Sequence, residues 1–587
     1  MSRTTGLLDG DLVDVTVRAD PGTRIEPDAQ NDLFICRHGV TYTSAADLAA
    51  TAGNCPFFAS VSSSSEGSAR LYTLADGSRA EGDIAAGVGI AEWSPGFGLP
   101  NATLECGPTA PCLLVVRVAT SVGGGPATDH FATFDLTFTT PDPTAGCGSR
   151  NPAAVSTAGS DRMQALWARS TLAQCSSGAS SGASTSFAPT GEGEGLAAFA
   201  GGTRDLVYTA AGYRPISGLD AAPQRTPVYT PVSLNAVVIA AMGGQLVNDD
   251  PQWPLGLPKP YAEPIRMTAA EAATLVGQGL TFFGIQSAPD FLARNPHLGL
   301  EAYYRPDSDK LTGTVAVQDA TAVSLFATSF LDTRAPDQWI QRPSLEERGV
   351  HAQLGNADPD FATSLSPVSQ KSQMAALRNS LGQNAGNTGP AWVLTDYATA
   401  VELGLTPVAI ENAAGEFVLP TPQSIAAGVA TMTVEPDGRR TPDPGASTPG
   451  AYPLPMLEYA MAPAEPLVDE ACSLRTESQQ ALSSWLTFLT GPGQEGLGAG
   501  FVPLTPDLAA EAEQAITRVG TSPSTAACSP TNPGGPTSPG AAGPVAGVGS
   551  TAGTGTGGTG ARGSGSGTDA GAGAAAGALS PSTPDEL

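Results

Sequence analysis

The hydrophobic period changes along this chain, and the change divides it into folding units before any motif is considered. In residues 7–140 apolar side chains recur at every second position in short runs. Leu12, Val13, Val15 and Val17 open the pattern, Leu113 to Val118 continue it, and Phe131, Phe134, Leu136 and Phe138 close it. Side chains alternate across a strand, so a period of two marks half-buried strands, and the Gly, Pro, Asp and Ser between the runs supply turns. Many short strands with almost no helical spacing predict an antiparallel β-sandwich over residues 1–140. The Pro/Gly-rich stretch TTPDPTAGCGSRNP (139–152) ends the pattern, and 141–152 reads as a linker.

Beyond the linker, helical and strand patterns alternate. Met163–Leu172, Thr268–Val276 with Thr268 as N-cap, and Ser483–Leu489 carry helical spacing, whereas Val232–Ala241 is a continuous apolar run of the length of a buried strand. Such alternation predicts an α/β fold over 153–520. From about Pro523 the large apolar side chains give way to Gly, Ala, Ser, Thr and Pro. Ordering that stretch costs backbone entropy with little burial to offset it, so 521–587 is expected to be a disordered tail. Random-coil scaling gives it a span of roughly 40–50 Å.

The chain has 56 acidic and 28 basic residues and a formal charge of −28. Binding a nucleic-acid backbone requires a basic stripe that displaces counterions, so no nucleic-acid partner is expected. The eight cysteines include no CxxC pair, which argues against a structural zinc or iron–sulfur site; no metal and no cofactor are expected. Their spacing suits disulfides, with Cys36–Cys55 and Cys106–Cys112 inside the β-rich region, and Cys147–Cys175 and Cys472–Cys528 as the further expected pairs. Disulfides persist in oxidising compartments, so the protein is expected to be extracellular or displayed at the cell surface. The opening MSRTTGLLDGDLVDVTV has no apolar leader segment. Export therefore implies a leader that this chain does not carry; the alternative is a cytoplasmic protein, and the cysteines favour export.

Catalytic signatures are weak. The GEGEG of 191–195 lacks the Lys-Ser/Thr of a phosphate loop and the spacing of a dinucleotide fingerprint, and there is no HExxH. His38, His130, His297 and His351 are scattered without metal-ligand spacing, and each is expected to be solvated. No enzymatic activity is expected.

Two resemblances sharpen this reading. The opening LLDGDLVDVTV, Cys36, Trp93 before a Gly-rich turn, and ECGPTAPCLLVVRV resemble the neocarzinostatin family of immunoglobulin-like apoproteins over about 135 residues. The hairpin clip Cys106–Cys112 is its most specific part. The second covers about 152–515. FAPTGEGEGLAAFAGGTRDLVYTA (187–210), TPVYTPVSLNAVVIAA (226–241), PIRMTAAEAATLVGQGLTFF (264–283), AYYRPDSD (302–309), GPAWVLTDYATAVELGL (389–405), ENAAGEFVLPTPQSIAAG (411–428), YPLPMLEYAM (452–461) and WLTFLTGPGQEGLGAGFVPLTPDL (485–508) follow the landmark order of phosphate-binding proteins of ABC importers. That family implies a two-lobed α/β fold of the periplasmic-binding-protein type that closes on a small anion.

The family holds phosphate with helix N-terminal N–H groups, hydroxyls, one Arg and one Asp that accepts the ligand's proton. The resemblance implies a ligand site of Ser160, Thr190, Gly191, Glu192, Arg305, Asp307 and Ser308. Glu192 stands where the family presents a hydroxyl, Ala210 where it has the Asp, Arg305 pairs with Asp307, and Pro306 and Asp309 replace donor-loop residues. A shift of one residue around Thr190 restores a hydroxyl. Two like charges at roughly 4 Å cost about 4 kcal/mol at an effective dielectric near 20, about three decades of affinity. The site is therefore expected to be degenerate and not to bind phosphate tightly. Two functions follow: a transport-linked protein that binds a small solute or anion and hands it to an ABC permease, or a non-transport cell-surface or adhesive protein that displays a sandwich and a degenerate binding domain, with a cell-wall component as partner.

Overall fold

The structure, a computed structural model, describes stretches within residues 4–138 and 154–337, and residues 391–523 apart from 470. The expectations for the linker 141–152 and for the tail beyond 523 lie outside the described residues.

The N-terminal region is built of β1 (Asp11–Arg18), β2 (Thr23–Ile25), β3 (Asp32–Arg37), β4 (Ser68–Arg70), β5 (Tyr72–Thr73), β6 (Arg79–Ala86), β7 (Gly89–Trp93), β8 (Ala102–Cys106), β9 (Cys112–Val122) and β10 (Thr128–Leu136). One antiparallel sheet runs β1-β6-β5, a second β10-β9-β3-β4 with β2 also on β9, and β7 pairs with β8. Val13, Val15 and Ile84 from the first sheet meet Leu33, Ile35, Leu114, Val116 and Leu136 from the second in one core. That is a sandwich, as the period of two implies.

In β9 the alternation divides the strand between two clusters. Leu114, Val116 and Val118 enter the main core, while Leu113 and Val115 join Phe34, Cys36, Tyr42 and Cys55 in a smaller one. Cys36 is bonded to Cys55, and Cys106 to Cys112. The first bond lies within the smaller cluster. Cys472 is also disulfide-bonded, whereas the side chains of Cys147, Cys175 and Cys528 lie outside the described residues, and with them the pairings Cys147–Cys175 and Cys472–Cys528.

The second region is organised on one mixed sheet. In chain order its elements are β11 (Ala154–Gly159), α1 (Gln164–Ser176), β12 (Ser184–Ala188), α2 (Glu192–Ala200), β13 (Leu206–Thr209), β14 (Pro227–Met242), α3 (Ala269–Val276), β15 (Thr314–Val317), α4 (Thr321–Arg334), β16 (Ala391–Asp396), α5 (Tyr397–Glu402), α6 (Pro422–Ala430), β17 (Pro455–Pro463), α7 (Thr476–Thr490) and α8 (Pro506–Ile516). The sheet order is β12-β11-β13-β17-β14-β16-β15. Strands β12, β11 and β13 are parallel, as are β15 and β16, with antiparallel joins through β17 and β14. Residues 227–236 of β14 pair with β17, and residues 237–242 pair with β16. This strand thus passes from one half of the sheet to the other.

Local chemistry supports the element boundaries. Thr268 and Glu271 exchange hydrogen bonds as a capping box before α3, at the N-cap read from the sequence. Thr421 and Ser424 do the same before α6.

Candidate functional site

The described residues bring together a buried polar cluster at the join of the two halves, and its centre is Glu192. Glu192 is the first residue of α2, and it is 3% exposed. Two glycines let α2 lie close enough to the sheet to place it there. A Cβ on Gly195 would stand 3.1 Å from Gly159 Cα and from Val207 Cγ1, and one on Gly159 would stand 2.4 Å from the Tyr208 carbonyl oxygen. Gly159 also has φ +145°, a conformation that side chains disfavour.

Five donors converge on this carboxylate. Oε1 accepts from Thr209 Oγ1 at 2.7 Å, Ala210 N at 2.6 Å and Ala211 N at 3.0 Å. Oε2 accepts from Ala322 N at 2.9 Å and Arg162 Nη1 at 3.3 Å. Ala322 is in the first turn of α4, whose leading N–H groups have no partner within their own helix and carry the positive end of its dipole. Glu192, on a helix of the first half, therefore caps a helix of the second.

The cluster continues inward. Arg162, 1% exposed, donates from Nε and Nη2 to both oxygens of Glu458 on β17, at 2.7 and 3.0 Å. Asn235 on β14 donates to Glu458 Oε1 and to Asp396 Oδ1, each at 3.1 Å. Its own Oδ1 accepts from Ala236 N and Ala398 N. Asp396 caps α5 through Thr399 N and Thr399 Oγ1.

The electrostatics follow from one guanidinium among three carboxylates. Burial alone disfavours the charged form of Arg162, but Glu458 and Glu192 reverse that and hold its pKa well above the ordinary value. Burial would raise Glu192, yet Arg162 and its hydrogen-bond donors outweigh it and keep the carboxyl below its usual range. For Glu458 burial wins over the Arg162 attraction, with Glu192 and Asp396 adding repulsion, and its pKa is raised. Among these carboxyls the surplus negative charge is relieved at Glu458 before Glu192.

This geometry corrects the expectation for Glu192. Its carboxylate, expected to face an anion, accepts from five donors of the chain itself. Ala210, expected only as a lost acceptor, contributes its N–H. The helix N-terminus at the site follows β15 and begins at Thr321, and Tyr304–Arg305 pairs antiparallel with Lys310–Leu311. The Arg305 side chain, Asp307 and Ser308 lie outside the described residues.

Gly191 has φ +87° just before α2, Thr190 is exposed with its N–H on the Ala188 carbonyl, and the Ser160 hydroxyl is 3.3 Å from Asp161 Oδ1. Arg162, Thr209 and Glu458 were not singled out from the sequence. A charged residue inside each apolar stretch, Arg162 beside Met163–Leu172 and Glu458 within YPLPMLEYAM, was the available signal.

His38 reaches Asp135 at 3.3 Å and His130 pairs with Thr120, both on the sandwich. His297 departs from its expected solvation, for both ring nitrogens are buried and the ring meets Tyr261 edge-on at 6.3 Å. His351 lies outside the described residues. No helix among the described residues is long and apolar enough to cross a membrane.

These features define a mixed α/β domain with a buried carboxylate, Glu192, that accepts from five donors at the join of the two halves of its sheet. Neither a protein-family model nor a curated protein sequence matches the chain. Solved structures similar to it include a possible phosphate-binding protein from Planctomyces limnophilus, at 11% identity and a TM-score of 0.31 over 62% of this chain and 97% of that one. Another is a putative phosphate ABC transporter substrate-binding protein with bound phosphate from Clostridium perfringens, at 9% identity and a TM-score of 0.30 over 60% and 100%. A third is an ABC-type phosphate transport receptor from Vibrio cholerae, at 11% identity and a TM-score of 0.27 over 60% and 100%.

Proposed function

We propose that residues 153–520 form an extracellular solute-binding-like domain related to the binding components of phosphate ABC importers, and that it does not carry phosphate because its own Glu192 carboxylate fills the anion position. The single observation behind this reading is the convergence of five donors on Glu192. Two or more backbone N–H groups, a hydroxyl and an Arg are the equipment that desolvates an oxyanion, and here all of them are used internally. A phosphate entering the cradle would have to displace a buried, hydrogen-bonded carboxylate that is covalently part of the chain. The same occupation favours a surface-display role, with a cell-wall partner, over handing a solute to a permease.

Calorimetry on the intact chain at neutral pH tests the reading. Phosphate should give no saturable heat below about millimolar concentration, where binding is worth only some 4 kcal/mol. Micromolar binding would sink it and restore the importer reading with phosphate as ligand.

A further inference from the structure

We infer that Glu192 acts as a built-in ligand that latches the two halves of the α/β domain together. The inference rests on the reading above and adds a mechanical role to it. Four of the five donors belong to the first half: Arg162 precedes α1, Thr209 ends β13, and Ala210 and Ala211 follow it. The fifth, Ala322 N, belongs to α4, which follows β15 at the far end of the sheet order. One carboxylate thus joins segments separated by β17, β14 and β16 in the sheet.

The join is reinforced from behind. Arg162 turns its other two nitrogens to Glu458 on β17, and Asn235 on β14 ties Glu458 to Asp396, the N-cap of α5. A continuous set of buried hydrogen bonds therefore runs from α4 through Glu192, Arg162, Glu458 and Asn235 to α5. Because every donor at the cradle is satisfied within the chain, closure needs no solute. Removing the carboxylate leaves three backbone N–H groups, a hydroxyl and a guanidinium edge without their acceptor, and a small oxyanion can take its place. Formate matches the planar, two-oxygen shape of the lost group.

The test compares the full chain with Glu192→Ala and Glu192→Gln by amide hydrogen exchange at Ala210, Ala211 and Ala322 and by solution scattering. In Glu192→Ala these amides should exchange about tenfold faster or more, and the radius of gyration should rise; added formate should reverse both changes. Glu192→Gln keeps one oxygen acceptor and loses the charge, so it should fall between the two. If Glu192→Ala folds only in formate, thermal melts with and without formate give the same support. A folded Glu192→Ala that exchanges and scatters like the unaltered chain overturns the latch. None of these measurements uses phosphate, so the latch and the phosphate reading fail separately.

Discussion

Arg162 is the residue on which the buried cluster balances. Replacing one partner of a buried pair leaves its counterpart without compensation, at a cost of about 3–5 kcal/mol. Arg162→Met should therefore lower stability by that order in denaturant titration, because Glu192 loses one donor and Glu458 loses two nitrogens. A loss under about 1 kcal/mol, the range of exposed pairs, would contradict its central place.

Glu458 and Glu192 make opposite contributions with pH. The Glu458 pKa is raised above the ordinary value near 4.5, so its contribution is complete below that value and is lost as pH rises through the folded pKa. The Glu192 pKa is lowered, so its contribution is present above about 4.5 and is lost as pH falls through the folded pKa. Glu458→Gln should therefore flatten the fall of melting temperature above pH 4.5 while leaving the acid limb in place. An unchanged decline on the alkaline side would show that Glu458 does not carry it.

At the scale of elements, the close seating of α2 on β11 and β13 is what brings Glu192 into the cradle. Gly159→Ala puts a Cβ 2.4 Å from a backbone oxygen and forces a disfavoured φ, so it should cost at least about 2 kcal/mol and loosen the amides that face Glu192. Thr421→Ala, which removes one side of a capping box whose Thr421–Ser424 bonds involve no residue of the cluster, should cost only about 1 kcal/mol and leave those amides protected. The contrast separates general helix loss from displacement of α2.

Much of this layer was legible in the sequence. The apolar run Val232–Ala241 is the core of β14, Thr268 is the cap it was read to be, and the cysteine pairs 36–55 and 106–112 are bonded. The site was less legible because local pattern gives a residue's place on an element but not its partners across the fold. Glu192 lies in the Gly-rich GEGEG, and its donors come from positions 162, 209, 210, 211 and 322. Three of those donors are backbone N–H groups of alanines, which leave no trace in side-chain chemistry. The resemblance of AYYRPDSD to an anion loop drew attention to Arg305, whereas only strand pairing places Thr314–Val317 beside β16 as the lead into α4.

In the whole molecule, the sandwich and the α/β domain have separate apolar cores, and Leu12 of β1 packs against that of the α/β domain. We expect limited proteolysis to cut near 139–152 and to remove the chain beyond about 520, leaving two resistant fragments, since both stretches are poor in large apolar residues. A tail that stays protected would contradict the expectation of disorder. If Glu192 fills the place of an anion, a crystal structure of the unaltered chain grown with excess phosphate should show its carboxylate bonded to Thr209, Ala210, Ala211, Ala322 and Arg162, with no phosphate among those donors; a phosphate bound to these groups with Glu192 turned away would overturn the proposal.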